Sequence, residues 1–426
     1  MEYKNIVATI YLKNGKAVKS AEDHTEIGDL IDLAKMYNDS GIDKIILFDL
    51  SDDDEEHEKN LHMMKVLNRN IEIKVCAGGN INRFEDIKKI FYTGCLQVIL
   101  NGSKSEMIEL AQEAAKRFGK DRILVSVMNV DFIFKNRDRM ETTFHEMLVM
   151  DQKMLDAVEN ITTIPSVIVC EEYNKSFILS LLDRNIVRGI AGEFINSTET
   201  DIMSLKSELM SSGIHMDNFD PALKWSDLKQ NSEGMVPVIV QDYKTDEVLM
   251  LAYMNEEAFQ ITITSGKMTY FSRSRDEIWT KGLTSGHLQY VKSLTADCDY
   301  DTILAKVSQI GVACHTGKMS CFFNPIVKKE YVEKNPLKVF EGVYDVIKDR
   351  KEHPKEGSYT NYLFDKGIDK ILKKMGEENT EIIIAAKNPN DDEIKYEISD
   401  YLYHLMVLMA QKGVTWEDIT QELSQR

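Results

Sequence analysis

Lys44-Ile-Ile-Leu-Phe48 is the run whose reading sets the fold of the first half of the chain. It is short and apolar, the pattern of a strand buried on both faces. Seven further runs of this kind occur at Ile6–Ile10, Ile71–Cys76, Gln97–Leu100, Ile123–Met128, Glu146–Met150, Ser166–Cys170 and Val187–Ala191. Helical patterns separate them, such as Ile27-Leu30-Ile31-Leu33-Ala34 and Ile108-Ala111-Ala114-Ala115. Eight β-α units in about 215 residues fit a compact (β/α)8 TIM-like barrel, with a doubly wound open sheet as the alternative. The barrel is expected over residues 1–217.

Composition bounds the rest. The chain has 426 residues, enough for two or three domains, and is 43% hydrophobic and 29% charged, as soluble globular proteins are. A net charge of −18 argues against general nucleic-acid binding. No apolar run reaches the length of a membrane span, and the start, Met-Glu-Tyr-Lys-Asn, does not read as a signal peptide. Six scattered cysteines make no disulfide framework, so a cytoplasmic location is expected.

After Asp220-Pro221 the pattern becomes strand-rich, and a mostly-β (α+β) domain is expected over 222–328. Lys244-Thr-Asp supplies a hairpin turn between Met235–Asp242 and Glu247–Tyr253. The chemistry concentrates at 297–321, where Asp297, Asp299 and Asp301 interleave with Cys298, and Cys314 and Cys321 follow. Thiolates suit zinc and carboxylates suit magnesium, so the stretch reads as two metal sites side by side. Three thiolates leave a tetrahedral zinc one position for water. An EF-hand starting at Asp297 would need Gly and Glu where Thr302 and Ser308 stand. Three buried cysteines beside a solvated acidic turn are the plain alternative.

The last hundred residues read as helical, with a connector at 329–357 and an all-α domain at 358–426. Ser358-Tyr-Thr matches a helix start, with Leu363, Ile368 and Leu372 on apolar positions, and a second helix is expected to begin at Gly376. Glu377-Glu378-x-x-Glu381 and Glu397-x-x-Asp400 place carboxylates one turn apart on helix faces. A solvated face explains one such motif. Two on facing helices can form an oxygen cage for magnesium.

These segments resemble known families. The barrel segment is loosely similar to the isomerase and cyclase barrels of histidine biosynthesis, through Ile6–Lys19, Ala77-Gly-Gly-Asn-Ile and Thr162–Val169. Their catalytic aspartates are replaced by Tyr11 and Met128, neither able to do carboxylate work near neutral pH. Glu171-Glu172 opposes a phosphate at the seventh strand, and Gly78-Gly79 survives as a turn pair. The barrel is therefore expected to be inactive, unless Asp49 or Asp131 act as displaced catalytic groups. A barrel that still acts on the next pathway intermediate, or that serves as a scaffold or binding module, are the alternatives.

The central segment closely resembles phosphoribosyl-AMP cyclohydrolase, through V-P-V-I-V-Q-D, L-M-L-A-Y-M-N-E-E-A, S-R-S-R, W-T-K-G-L-T-S-G-H, D-C-D-Y-D and A-C-H-T-G-K-M-S-C. The resemblance implies zinc on Cys298, Cys314 and Cys321, drawn from both subunits of a homodimer, and magnesium on Asp297, Asp299 and Asp301. His287 and His315 are expected proton carriers. Arg273, Arg275 and Lys281 are expected phosphate contacts, and Trp279 could stack on the base. The last segment resembles phosphoribosyl-ATP pyrophosphatase, an all-α, MazG-like family, through Tyr359–Gly367, Lys374–Glu378, Ala385–Asn388 and Asp400–Leu405. Its magnesium motif falls on Glu377, Glu378, Glu381, Glu397 and Asp400, with Lys373, Lys374 and Lys387 as phosphate contacts. The implied substrates are small phosphoribosyl nucleotides, and the implied activity is two consecutive hydrolyses.

Overall fold

The structure, a computed structural model, describes residues 3–104, 106–197, 199–329, 336–389 and 391–424. It divides into two compact units, Met1–Pro325 and Ile326–Arg426.

The first unit opens with β1 (Asn5–Lys13), β2 (Lys16–Val18), β3 (Glu26–Gly28), β4 (Lys44–Asp49), β5 (Lys74–Gly78), β6 (Gln97–Asn101), β7 (Ile123–Val127), β8 (Glu146–Val149), β9 (Ser166–Cys170) and β10 (Val187–Gly192). β1 and β4 to β10 pair in parallel, and β10 returns to β1 with Ile190 opposite Ile6. This closure makes an eight-stranded barrel and excludes the open sheet. The alternation of a strand sorts the side chains. Val7, Ile46, Cys76, Ile99, Leu124, Leu148, Val167 and Ala191, one per strand, form the inner cluster. Their neighbours, such as Ile6, Ala8, Ile45 and Leu47, join the larger core shared with the helices.

Asp49 ends β4 in a closed network. It accepts hydrogen bonds from His57 Nδ1 (2.5 Å), Asn60 Nδ2 (2.5 Å) and the Ser51 amide (2.9 Å). Gly79, at φ +85°, lies so close to the Asp49 backbone that a Cβ there would overlap it. The glycine pair is thus fixed by a close backbone approach.

β11 (Val236–Asp242), β12 (Val248–Met254), β13 (Thr269–Ser272), β14 (Glu277–Thr280), β15 (Gln289–Ala296) and β16 (Ile303–Gln309) follow. Four form a mixed sheet in the order β12-β11-β16-β15, and β13 and β14 form a separate ribbon. Asp242 builds the expected β11–β12 turn by accepting from the Lys244 and Thr245 amides. Val236, Val238, Val240, Ile303, Ala305 and Val307 form the sheet's buried face.

The barrel and this sheet meet within the first unit. Lys292, at a bulge in β15, reaches Asp39 (3.4 Å) and Glu72 (3.5 Å), and Tyr243 donates to Glu72 at 2.7 Å. Lys267 pairs with Asp201 at 2.8 Å, and Ser207 donates to the Thr264 carbonyl.

The second unit contains helices Pro336–Glu352, Tyr359–Lys366, Ile368–Ala385, Asp391–Lys412 and Trp416–Ser424, with no strand among the described residues. Ser358 caps its helix by accepting from the Asn361 amide. The segment at 329–357 contains a helix, in line with the helical reading of the last hundred residues, and its Tyr344 and Ile347 belong to the bundle core with Leu363, Met406 and Val407; residues 330–335 lie outside the described set. Two expectations are corrected. Gly376 lies inside a helix that starts at Ile368. Ile371 takes the buried position, while Leu372 is 49% exposed. No helix among the described residues is long and apolar enough to cross a membrane.

The Asp49 carboxylate raises the pKa of His57 through their hydrogen bond, against the opposing effect of burial. Its contribution to stability is therefore fully present below the unfolded histidine value, about 6.5, and is lost as pH rises through the raised folded value. In thermal unfolding, the deficit of His57→Gln relative to wild type should be larger near pH 5.5 than near pH 8.5, an ordering set by that linkage. Equal deficits at both would contradict the assignment.

Candidate active sites

The first candidate site grows from the two ends of β15 and the loop after β16. Asp297 follows β15 directly, and its Oδ1 accepts the Asp301 and Thr302 amides at 3.0 and 3.2 Å. Desolvation opposes its charge, but these amide bonds prevail and hold the carboxyl below its usual range. Asp297, Asp299 and Asp301 are exposed and can each offer an oxygen within 4.8 Å of the others. Tyr300 takes φ +64°, which turns the backbone between two of these aspartates.

Cys314 and Cys321 form a separate pair. The Thr316 hydroxyl, 3.1 Å from Cys314 Sγ, holds that thiol below its ordinary pKa, with help from Cys321 and Lys281. Burial pushes Cys321 up, as does its neighbour Cys314. Cys298 is exposed, and its sulfur is not grouped with this pair within one chain. Beside Asp297 and Cys298 lies a cavity of about 480 Å³, walled by Leu223, Phe259, Ile263, Leu294, Tyr300 and Ile303.

The other expected residues fall unevenly. Lys281 stands beside the cysteine pair and donates to the Ala313 carbonyl at 2.6 Å, and burial lowers its pKa. This bond ties Lys281 to the cysteine loop. Trp279 sits in β14, half-buried against Tyr270 with ring centroids 5.2 Å apart. Arg273 lies over the Tyr253 ring, and exposed Arg275 approaches Glu277. His287 packs over Gly311, where a Cβ would crowd its ring at 2.7 Å, whereas His315 is exposed on the cysteine loop.

The second candidate site lies between helices Ile368–Ala385 and Asp391–Lys412. Glu378, Glu381 and Glu397 bring carboxylate oxygens within 4.8 Å of one another. Burial and then the surrounding carboxylates raise the pKa of Glu397, and burial is likewise the first cause for Glu378. The charge of Asp400 acts on both in the same direction. Glu397 Oε2 is buried without a hydrogen bond, which is costly unless a cation or proton meets it. Glu377 pairs with Lys374 (2.8 Å) and Lys373 (3.2 Å) and lies outside the three-oxygen group. Lys374 bridges Glu377 and Glu378. His404 is buried beside Glu378, a neighbour to which the sequence reading gave no role. Its position four residues after Asp400 and seven after Glu397 was the available signal.

At the barrel's C-terminal mouth, Tyr11 stacks on Phe48 and Met128 is 64% exposed, so neither expected catalytic position offers a carboxylate. Asp49 is enclosed by its network, and Asp131 is exposed at the start of a short helix. A cavity of about 500 Å³ there is lined by Tyr11, Lys19, Asp23, Glu171, Glu193 and Asn196. Glu171 pairs with Lys153.

Fold and sites together define an enzyme in which two hydrolase domains follow a TIM barrel. Residues 250–323 match the phosphoribosyl-AMP cyclohydrolase family model, 340–426 the phosphoribosyl-ATP pyrophosphohydrolase model and 5–163 the histidine biosynthesis protein model. The histidine biosynthesis bifunctional protein HisIE of Thermoanaerobacter pseudethanolicus is 52% identical over 209 residues, covering 46% of this chain and 97% of the relative. HisIE of Caldanaerobacter subterraneus is 52% identical over 200 residues, covering 47% and 96%. HisIE of Oceanobacillus iheyensis is 49% identical over 199 residues, covering 47% and 91%. The chain belongs to the HisIE family of bifunctional histidine-biosynthesis proteins.

Proposed function

We propose that the chain carries out two consecutive hydrolyses on one nucleotide. The helical unit removes pyrophosphate from phosphoribosyl-ATP. The central domain then opens the adenine ring of phosphoribosyl-AMP: the oxygen of a water bonds to C6, the N1–C6 bond breaks, and the two protons of that water end on N1 and on the exocyclic nitrogen, leaving a carboxamide. The observation that carries the first step is the buried, unpaired Glu397 Oε2 within a three-carboxylate cluster. Its donor set is hard oxygen, which suits magnesium. Glu378, Glu381, Glu397 and Asp400 would hold the ion, with Glu377 and Lys374 at the rim to orient the triphosphate.

For the second step, the lowered Cys314 thiol and its Cys321 neighbour suit zinc, which would supply a water with pKa near 7. Lys281 fixes the loop carrying both cysteines. His287 and His315 move protons to and from the ring, and Arg273 and Arg275 face the phosphates. Asp297, Asp299 and Asp301 would hold magnesium. Cys298 is the missing third thiolate, and we infer that it comes from a second copy of the chain. Its exposure, its separation from the pair and the apolar cavity beside it support a homodimer joined there. The exposed Met319 and Phe322 on the cysteine loop are apolar groups suited to such a joint.

The barrel, in this reading, supports β15 through Lys292, Asp39 and Glu72 and carries no chemistry. A full chain bearing both Cys314→Ser and Glu397→Gln should then turn over no intermediate of the pathway; any turnover would establish a third activity.

Two outcomes test the rest. Wild-type chain given phosphoribosyl-ATP and magnesium should release pyrophosphate and accumulate the ring-opened formimino carboxamide nucleotide; absence of pyrophosphate would sink the first step. Cys298→Ser and Cys314→Ser should each abolish ring opening. Dissociated, mixed and reassembled, they should recover about a quarter of wild-type activity, because half the dimers are mixed and each holds one intact site. No recovery would argue against ligands shared between subunits.

A further inference from the structure

We propose that Tyr359 and His404 are positioning residues for the carboxylate cluster of the helical unit, fixing Glu378 through a hydrogen-bonded imidazole. The proposal rests on reading that cluster as a divalent-cation site.

The geometry is built from two helices and a third that closes over them. His404 shares the Asp391–Lys412 helix with Glu397 and Asp400, and its spacing from them places it on the same face. It is 4% exposed. Its Nε2 lies 3.1 Å from the hydroxyl of Tyr359, from the first turn of the Tyr359–Lys366 helix. Its Nδ1 is buried without a hydrogen bond and lies 3.6 Å from Glu378 Oε1. The Asp400 carbonyl is the other acceptor acting on the ring.

A neutral imidazole has one donor and one acceptor nitrogen. A phenol such as Tyr359 readily donates to Nε2, which assigns the proton to Nδ1, with Glu378 Oε1 at 3.6 Å and the Asp400 carbonyl as the acceptors offered to the ring. Glu378 Oε1 then has two cationic or N–H neighbours, Nδ1 and Lys374 Nζ at 3.6 Å. Engaging that oxygen leaves the second for the cation and fixes the plane of the carboxylate. Partners of this kind behind a metal ligand commonly change metal affinity by about 10- to 100-fold when removed. A merely structural histidine would fill volume without affecting cation affinity. The edge-on contacts of His404 with Tyr359 and Tyr403 show that packing is also present, so the test must separate the two roles.

His404→Phe retains a ring and removes both nitrogens, whereas His404→Asn restores an N–H near the Nδ1 position. In the full chain, Mn²⁺ binding to the helical site is read by the paramagnetic resonance of free ion, with Cys314→Ser and Asp299→Asn present to silence the central domain. His404→Phe should weaken that binding by about tenfold or more, with His404→Asn recovering most of the loss. Tyr359→Phe should shift it in the same direction by less. The magnesium concentration for half-maximal pyrophosphate release should move in parallel in chains without the silencing substitutions, while KM for phosphoribosyl-ATP at saturating magnesium stays within about twofold, as expected for a group acting through a metal ligand. Wild-type Mn²⁺ affinity in His404→Phe would overturn the proposal. If that variant does not fold, an unchanged affinity in Tyr359→Phe overturns it. A chain that binds Mn²⁺ as described yet releases no pyrophosphate would contradict the assigned reaction and leave the positioning intact.

Discussion

Carboxylates held closer together than their charges favour are the constraint on which both sites depend. Three oxygens within 4.8 Å repel one another, and burial strengthens that repulsion by removing water. In the helical unit the result is visible in raised carboxyl pKa values and in one buried oxygen with no partner. The helices keep this arrangement because the same helices bury Ile371, Met406 and Val407 in the bundle core. The aspartate cluster of the first unit is handled differently. It is exposed, and the backbone amides of Asp301 and Thr302 offset the charge on Asp297.

The same distinction shows what the sequence could convey. The barrel was legible because each strand is a nearly continuous apolar run, and its closure follows from β10 pairing with β1. The carboxylate motifs were legible because spacings of three and four residues project onto one helix face. Spacing alone could not separate Glu377 from Glu378. These neighbours point about 100° apart around the helix, so one joins the cluster and the other meets Lys373 and Lys374. Nor could it show that the segment read as a connector carries core residues: Val343, Tyr344 and Ile347 have helical spacing, but only the fold shows which helices bury them. Asp49 was open to a catalytic reading for a similar reason: only the fold reveals His57 and Asn60 closing around it.

The three cysteines of the central domain fall on separate turns of the chain. Cys314 and Cys321 are neighbours because the loop between them folds back, with the Cys314 amide donating to the Lys318 carbonyl. Cys298 leaves β15 on a separate turn. The bulge at Lys292 ties that strand to Asp39 and Glu72 of the barrel, so placement of the Asp297–Cys298 corner depends partly on a domain with no carboxylate at its two expected catalytic positions. That dependence gives the barrel a physical role that needs no turnover. An individual exposed ion pair contributes about 1 kcal/mol or less, so the support would come from the several contacts acting together.

The most direct test of the central claim is the sulfur count at zinc in the assembled protein, measured by zinc-edge X-ray absorption. An open zinc site completed between two copies predicts three sulfur neighbours at about 2.3 Å and one lighter atom at about 2.0 Å. Two sulfurs per zinc would mean that Cys298 takes no part, and four would mean a closed structural site with no position for water.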